Sequence, residues 1–383
     1  MRLLIVSHTE HFRTADGIVG FAPTLREIDH LAALFDEVVH IATLRDAAAP
    51  RVAAPYRAEN IHLRLLPAAG GRTLFAKLGY LFLLPRYVWT LVVELRRADA
   101  VHVRCPAFVS LLALLCLCMS KRPQRRWLKY AGNWAPGAGE PISYRLQRWL
   151  LRNGWAGGGV TVNGEWPELP SHVRTFLNPC LTVEELTEGR AAAQHKSLTG
   201  TIHVLFVGRL EEEKGALRCI EIAEALRARG QAVQLDLVGD GPSRGACEAL
   251  IAACGRTREY RLHGLLPRAA LNSLYSAAHL MLLPSFSEGW PKVLSEGMAH
   301  GVVPIAAAVG SIPGELRRLN CGTAVEGRRV DAYVDALNAY FRDPERWRRE
   351  SLAAQRSAEQ FGYLAHVNKV AEVLQMSHVA CAS

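Results

Sequence analysis

Short runs of consecutive apolar residues recur along the chain, and longer stretches with apolar positions three and four apart separate them. Leu3-Leu4-Ile5-Val6, Val38–Ala42, Ile61–Leu66, Ala100–Val103, Arg126–Tyr130 and Gly158–Val162 have the length and composition of buried strands. Between them, Leu25–Phe35, Leu74–Arg97 and Ala107–Ser120 predict helices, and a polar, glycine-containing loop runs through Gly17 and Gly20. From Trp166 to Pro179 the pattern is irregular and proline-rich, as a connection should be. The alternation then restarts. Val204–Val207, Val233–Val238, Tyr260–Leu262, Leu280–Leu283 and Val302–Ala306 predict strands, with helices near Ala216–Arg229, Ser243–Cys254 and Ala269–Ala277. Continuous apolar strands alternating with helices indicate parallel sheets covered on both faces. Two α/β domains are therefore expected, over 1–180 and 181–360, with a final helical segment over 361–383 that can pack back on the first.

The stretch Ser285–Gly301 holds two carboxylates, Glu288 and Glu296, eight residues apart around a glycine and a proline. Pro291 suits a first helical position, which puts Glu288 in the loop ahead of a helix and Glu296 about one and a half turns in. A helix N-terminus at a strand's end favours an anion. Were both glutamates helical, their Cα atoms would lie about 12 Å apart at about 1.5 Å per residue. The carboxyl pair of a retaining glycosidase is about 5 Å apart, so that chemistry is disfavoured. The pair is better spaced to bracket an extended anionic ligand.

A second candidate follows the first strand of the second half, in Val207-Gly208-Arg209-Leu210-Glu211-Glu212-Glu213-Lys214-Gly215. Arg209 and Lys214 flank a strand-to-helix turn and read either as a diphosphate clamp or as a solvated loop in which Glu211–Glu213 screen Lys214. Val238-Gly239-Asp240-Gly241-Pro242 is another glycine-rich turn at a strand end. Neither it nor the N-terminal loop matches G-x-G-x-x-G, so a dinucleotide site lacks its fingerprint.

Composition narrows the picture further. With 383 residues, half of them hydrophobic and 21% charged, the chain can bury sizeable cores. The nine cysteines are dispersed without C-x-x-C pairs, which reads as reduced thiols rather than a disulfide or zinc framework. No apolar run is long enough for a membrane span; Leu74–Val93 comes nearest but carries Lys77, Pro85 and Arg86. The N-terminus does not read as a signal peptide, so a cytoplasmic protein is expected. The net charge of +9 is lopsided: Met1–Cys180 holds 22 Lys and Arg against 13 Asp and Glu, and the remainder holds 23 of each. Such asymmetry suggests an anionic partner for the first half.

Together the motifs G-R-L-E-E-E-K-G (Gly208–Gly215), V-G-D-G-P (Val238–Pro242) and E-G-W-P-K-V-L-S-E-G-M-A-H-G (Glu288–Gly301) resemble those of the retaining nucleotide-sugar glycosyltransferases of family 4, the glycosyl transferases group 1. The resemblance is strongest over Val204–Pro313 and looser in the first half. It implies an α/β GT-B fold, two facing Rossmann-like domains with parallel sheets and an interdomain cleft that closes to exclude water. It implies that Arg209 and Lys214 hold the donor diphosphate and stabilise the departing nucleotide. Glu288 would lie near the transferred sugar and Glu296 would bind the ribose hydroxyls. Backbone around Gly208 and along Gly289, Trp290, Pro291, Lys292, Val293 and Leu294 would meet phosphate or sugar hydroxyls. No metal or other cofactor is expected, in keeping with the absence of a D-x-D sequence.

The first half departs from the family. Many members carry a His-Asp pair near the end of a strand where this chain has Gly132 and Asn133, within Lys129–Trp134. Asn133 and Trp134 read either as sugar contacts or as a structural turn, and His8 as facing the cleft or not. Gly20, with Gly17, offers close backbone approach to phosphates, although the family's paired glycines are not reproduced. The run Gly70–Arg97 mixes Phe75, Tyr80, Phe82, Tyr87 and Trp89 with Arg72, Lys77 and Arg86. It reads as a buried helix pair broken at Pro85 or as an interfacial segment on anionic lipid, to which Lys121–Arg126 would add. No nucleic-acid module is present.

The expected function is transfer of a sugar from a UDP- or GDP-sugar donor to a glycan or lipid-linked acceptor in cell-surface polysaccharide or glycoconjugate synthesis, at the inner face of the membrane if the basic half meets anionic lipid. A sugar-nucleotide epimerase on the same fold and a non-catalytic nucleotide-sugar-binding protein are the alternatives.

Overall fold

The computed structural model describes residues 1–50, 53–67, 74–134, 140–164, 166 and 168–376, with side chains from 82 onward in the helix that starts at 74. Met1–Phe176 together with the segment from Leu364 forms one unit, and Leu177–Tyr363 forms the other.

In the first unit the chain runs β1 (Arg2–Thr14), β2 (Gly17–Phe21), α1 (Ala22–Ala32), β3 (Glu37–Arg45), β4 (Ala53–Ala54), β5 (Ile61–Pro67), α2 (Leu74–Arg97), β6 (Ala100–Cys105), α3 (Phe108–Cys118), β7 (Arg125–Tyr130), α4 (Ile142–Arg152), β8 (Gly159–Asn163) and β9 (Val173–Phe176). The parallel pairings give the order β5-β3-β1-β6-β7-β8-β9. This is a doubly wound sheet that reverses direction at β1 and β6. Tyr87, Leu91 and Leu95 of α2, Leu114 and Leu117 of α3, and Leu150 and Leu151 of α4 cover one face. Ile28 and Leu31 of α1 cover the other with Val370 and Leu374 from the C-terminal segment, around Trp127.

The second unit contains α5 (Val183–His195), β10 (Ile202–Val207), α6 (Ala216–Ala228), β11 (Val233–Val238), α7 (Arg244–Ala253), β12 (Tyr260–Gly264), α8 (Arg268–Ala277), β13 (Leu280–Leu283), α9 (Lys292–Ala299), β14 (Val303–Ala307), α10 (Ile312–Leu319), β15 (Thr323–Val325), α11 (Val330–Arg342) and α12 (Pro344–Ser357). The last helix, α13 (Tyr363–Val373), leads into the first unit. The strand order β12-β11-β10-β13-β14-β15 is parallel throughout. Its direction reverses between β10 and β13, where such sheets hold ligands beyond the strands' carboxyl ends.

Four local expectations are corrected. The loop expected over Ser7–Gly20 is an extension of β1 plus an antiparallel return strand, with His11 paired to Gly20. His11 and Phe12 are buried there, so polar residues follow the strand because a second strand satisfies their backbone. Next, α1 starts three residues before the expected Leu25, with Pro23 in its first turn, where a missing N–H costs nothing. Third, α2 is one helix rather than a pair broken at Pro85. A proline removes a single backbone bond, and the buried Tyr87, Leu91 and Leu95 hold the following turns in the core. Last, the connection over 166–179 contains β9, which pairs with β8. Arg72 lies outside the described residues, as do the side chains of Phe75, Lys77 and Tyr80.

Candidate active site

Three loops meet at the carboxyl edge of β10, β13 and β14 in the second unit. The loop after β10 passes Arg209, makes a single 3-10 turn over Glu212–Lys214 and enters α6 through Gly215. The loop after β13 is stitched to it: Phe286 N donates to Glu213 O at 2.7 Å, and Ser285 Oγ donates to Lys214 O at 3.4 Å. That stitching sets Lys214 Nζ 2.6 Å from Glu288 Oε1. The glutamates of 211–213 do not screen Lys214; Glu211 faces Arg209 instead, at 3.3 Å. Arg209 keeps 73% of its side chain exposed, so its guanidinium is free to meet a ligand.

The loop after β14 holds Glu288 from behind. Ser311 Oγ donates to Gly289 O at 3.1 Å. Gly310 has φ +58°, and a Cβ there would lie 1.9 Å from Glu288 O. Gly239 plays the same part under Arg209: its φ is +142°, and a Cβ would lie 1.8 Å from Gly208 O. Both positions need glycine because two backbones touch there. Arg218 of α6 donates to Pro284 O at 2.7 Å, and the guanidinium groups of Arg218 and Arg328 lie over Phe286 at 4.7 and 3.8 Å.

Glu296 stands on α9, which begins at Lys292 with Pro291 as its N-cap and no side-chain cap on its first amides. Pro291 is thus one place outside the helix, not its first residue, and Glu296 is little more than one turn in. Both Glu296 oxygens are held. Tyr275 OH donates to Oε2 at 2.9 Å, and Arg268 Nη1 is 2.7 Å from Oε1. Arg268 also donates to Glu185 Oε1 at 2.7 Å. Burial works against the Arg268 charge, but Glu296 and Glu185 outweigh it and raise its pKa. Burial and then Glu296 raise Tyr275 well above the ordinary phenol range, so it remains a donor.

Between the two glutamates Trp290, Leu294 and Ser295 are buried, and Pro291, Lys292 and Val293 are half-buried. Trp290 is buried, stacked on Phe361 with ring centroids 5.6 Å apart, and donates to Ser295 Oγ at 2.8 Å. Leu294 is fully buried in the same core, with Val293 packed against it. At Trp290 and Leu294 only the backbone remains for a ligand, as at the exposed Gly289. Gly208 N–H already donates to Val238 O at 3.0 Å.

Gly20 and Asn133 belong to the other unit. Gly20 pairs with His11 on one side and Ala54 on the other, and a Cβ there would meet the His11 ring and Leu25 at 3.0 Å. Packing accounts for this glycine, and the loop offering backbone to phosphates is replaced by the paired strand. Asn133 is exposed and its carbonyl accepts from Arg148 at 3.0 Å. Trp134 is buried edge-on against Tyr130, which corrects its reading as a sugar platform. Lys129 is buried, 2.9 Å from Glu27, which also binds Arg104 at 2.7 Å. His8 is exposed. Among the described residues no group of three or more His, Cys, Asp or Glu is placed to hold a metal ion.

Arg268, Tyr275, Glu185, Gly310 and Arg218 were missed in the sequence. Arg268 had one weak signal, a charge after Pro267 at the start of an otherwise uncharged helix; the rest carry no local mark.

The profile of the family described as glycosyl transferases group 1 matches residues 189–357, which lie within the second unit. D-inositol 3-phosphate glycosyltransferase of Arthrobacter sp. (strain FB24) is 28% identical over 178 residues, 45% of this chain and 42% of that protein. The chain thus spans less than half the length of the curated relatives it matches. Sucrose-phosphate synthase from Thermosynechococcus elongatus superposes with a TM-score of 0.67 over 98% of both chains at 17% identity. Anabaena Alr3699/HepE in complex with UDP-glucose superposes with a TM-score of 0.63, over 98% of this chain and 99% of that one, at 16% identity. The fold is that of the GT-B glycosyltransferases, two α/β units with parallel sheets.

Proposed function

We propose that the chain is a retaining glycosyltransferase that moves a sugar from a UDP- or GDP-sugar to a glycan or lipid-linked acceptor. The carrying observation is the Lys214–Glu288 pair at the sheet's reversal, beside the exposed Arg209 and the uncapped start of α9. In this reading the donor diphosphate lies across these groups. As the bond between the anomeric carbon and the phosphate oxygen breaks, negative charge grows on the leaving nucleotide, where Arg209, Lys214 and the α9 amides stabilise it. These cations perform the electrostatic task of a metal ion. Glu288 lies at the sugar end. Glu296 lies at the ribose end, its oxygens aimed by Tyr275 and Arg268 and each with a lone pair left for a hydroxyl. The UDP-glucose complex of the Anabaena structure supports a uridine donor.

A thermal-shift panel of UDP-, GDP-, ADP- and CMP-sugars, followed by slow-hydrolysis assays on the best binder, tests the proposal. A UDP- or GDP-sugar should raise Tm and be hydrolysed with release of the nucleoside diphosphate. Absence of any shift with both would defeat the reading, and isomerised nucleotide sugar without hydrolysis would replace it by epimerisation.

A further inference from the structure

The apolar surface of this protein is distributed as unevenly as its charge. Of the twelve large hydrophobic side chains exposed among the described residues, ten belong to the first unit. Six of those lie on three neighbouring helices and a seventh just past the end of one, since α3 packs against both α2 and α4 on one face of the sheet. Phe82 and Trp89 project from α2, Leu115 from α3 with Met119 just after it, and Ile142, Leu146 and Trp149 from α4. Met119 is 92% exposed and Ile142 81%.

On α4 the pattern is specific. Leu150 and Leu151 face the core, while Ile142, Leu146 and Trp149 recur at intervals of four and three on the opposite side, interleaved with the exposed Arg145 and Arg152. An ordinary surface helix is polar on its outer side. Trp149 stacks on the exposed Trp155, ring centroids 5.8 Å apart, just past the end of α4.

A basic groove adjoins the tryptophan pair. It encloses about 780 Å³ at the N-terminal edge of β7 and β8, and Arg122, Arg125, Arg174 and His172 contribute to its wall. His172 reaches Leu151 O at 2.9 Å, which ties the groove to the end of α4. Asp99 and Glu372 also line it, but Asp99 accepts from the Arg2 backbone at 2.7 Å. Among the described residues Arg122, Arg125 and Arg174 have no carboxylate within ion-pair distance.

We propose that this face docks on an anionic phospholipid surface. Trp149, Trp155, Ile142 and Met119 enter the headgroup–acyl boundary, and a lipid phosphate occupies the arginine groove. Indole rings prefer that boundary, and arginines near an anionic leaflet are drawn to its phosphates. A soluble polyanion would use the arginines but leave the tryptophans idle. The surface belongs to the first unit and the proposed donor site to the second, so vesicle binding and donor turnover are read out by separate variants.

The test is flotation of the full chain with phosphatidylglycerol vesicles and with phosphatidylcholine vesicles, at low and at high salt. Variants are Trp149→Ser/Trp155→Ser and Arg122→Glu/Arg174→Glu, with circular dichroism to check folding. Binding should require phosphatidylglycerol, weaken with salt and fall at least tenfold in either double variant. Brominated lipid should quench tryptophan emission in the native chain, and less in the tryptophan variant. Absence of binding to phosphatidylglycerol overturns the proposal. So does binding that the arginine variant abolishes but the tryptophan variant leaves intact, since that result belongs to a soluble-polyanion site. A folded variant pair binding like the native chain places the contact elsewhere and overturns it equally.

Discussion

Lys214 Nζ lies 2.6 Å from Glu288 Oε1, across 74 positions of sequence, and the pair joins the turn before α6 to the loop before α9. Each side chain is only partly exposed, 29% for Lys214 and 13% for Glu288, so the ammonium is held ready beside the place where a diphosphate would lie. A cation already positioned costs little reorganisation when charge develops. Lys214→Ala and Glu288→Gln should each lower kcat/KM by about 10²–10³-fold. Because the two act as one unit, the double variant should be little worse than the poorer single one. Additive losses in a double-mutant cycle would show that the contact is incidental.

Arg209 has no comparable anchor. Its exposed guanidinium contributes little to folding, so Arg209→Ala should leave the unfolding free energy within about 0.5 kcal/mol. Donor affinity and turnover should both fall, and Arg209→Lys should restore only part, since a point charge does not replace a planar fork. Calorimetric titration with the best-binding nucleotide, beside steady-state kinetics, measures both effects.

Arg268 bridges Glu185 and Glu296. Arg268→Ala leaves two mostly buried carboxylates without their cation, which should cost about 1–3 kcal/mol of stability. Glu296 then loses its fixed orientation, so nucleotide binding should weaken about tenfold while hydrolysis of bound donor changes less. Glu296→Gln should follow the same KM-dominated pattern, in contrast to Glu288→Gln. A normal nucleotide Kd in Arg268→Ala would remove it from the site.

Gly310→Ala tests the support of Glu288. The new Cβ would lie 1.9 Å from Glu288 O at a φ of +58°, so the loop must move. Turnover should fall at least tenfold, with a loss of stability of about 1–3 kcal/mol. Gly314→Ala, where a Cβ meets nothing within 4 Å, is the control and should behave as the native chain.

Acid should loosen the Glu296 helix through His300. This residue ends α9, faces Ser276 Oγ at 3.0 Å and stacks on Tyr275. Burial, then Lys196 and Arg268, lower its pKa to about 4. The unfolded chain takes up the proton near the ordinary value of about 6.5, and the folded chain resists it down to about 4. Stability is therefore complete above about 6.5 and declines as pH falls toward 4. His279, also lowered to about 4, adds to the same slope. Urea midpoints between pH 7 and 4.5 should fall less steeply in His300→Asn than in the native chain; parallel curves would clear His300 of the effect.

Much of the architecture follows from local pattern. Leu280–Leu283 and Val204–Val207 are strands because a short apolar run between breakers can be buried on both faces. Proline and glycine after Ser285 likewise open a loop before a helix, which fits the separate places of Glu288 and Glu296. These are short-range properties that adjacent residues carry by themselves. What the local pattern left open is which loops touch. The strand order sets β10 beside β13, and only that adjacency brings Lys214 to Glu288 rather than to Glu211–Glu213, its neighbours along the chain. Tyr275 and Arg268 of α8 meet Glu296 of α9 for the same reason, through side chains that only the fold brings together. Nor does periodicity tell which apolar side of a helix faces the core. On α4, Leu150 and Leu151 turn inward and Ile142, Leu146 and Trp149 outward because α3 and the sheet lie on one side only. The sequence by itself determined two α/β units and a pair of glutamates set apart by a loop and a helix start. Only the tertiary structure decided their partners, because polar contacts between loops form wherever the buried strands carry the chain, at separations no local pattern spans.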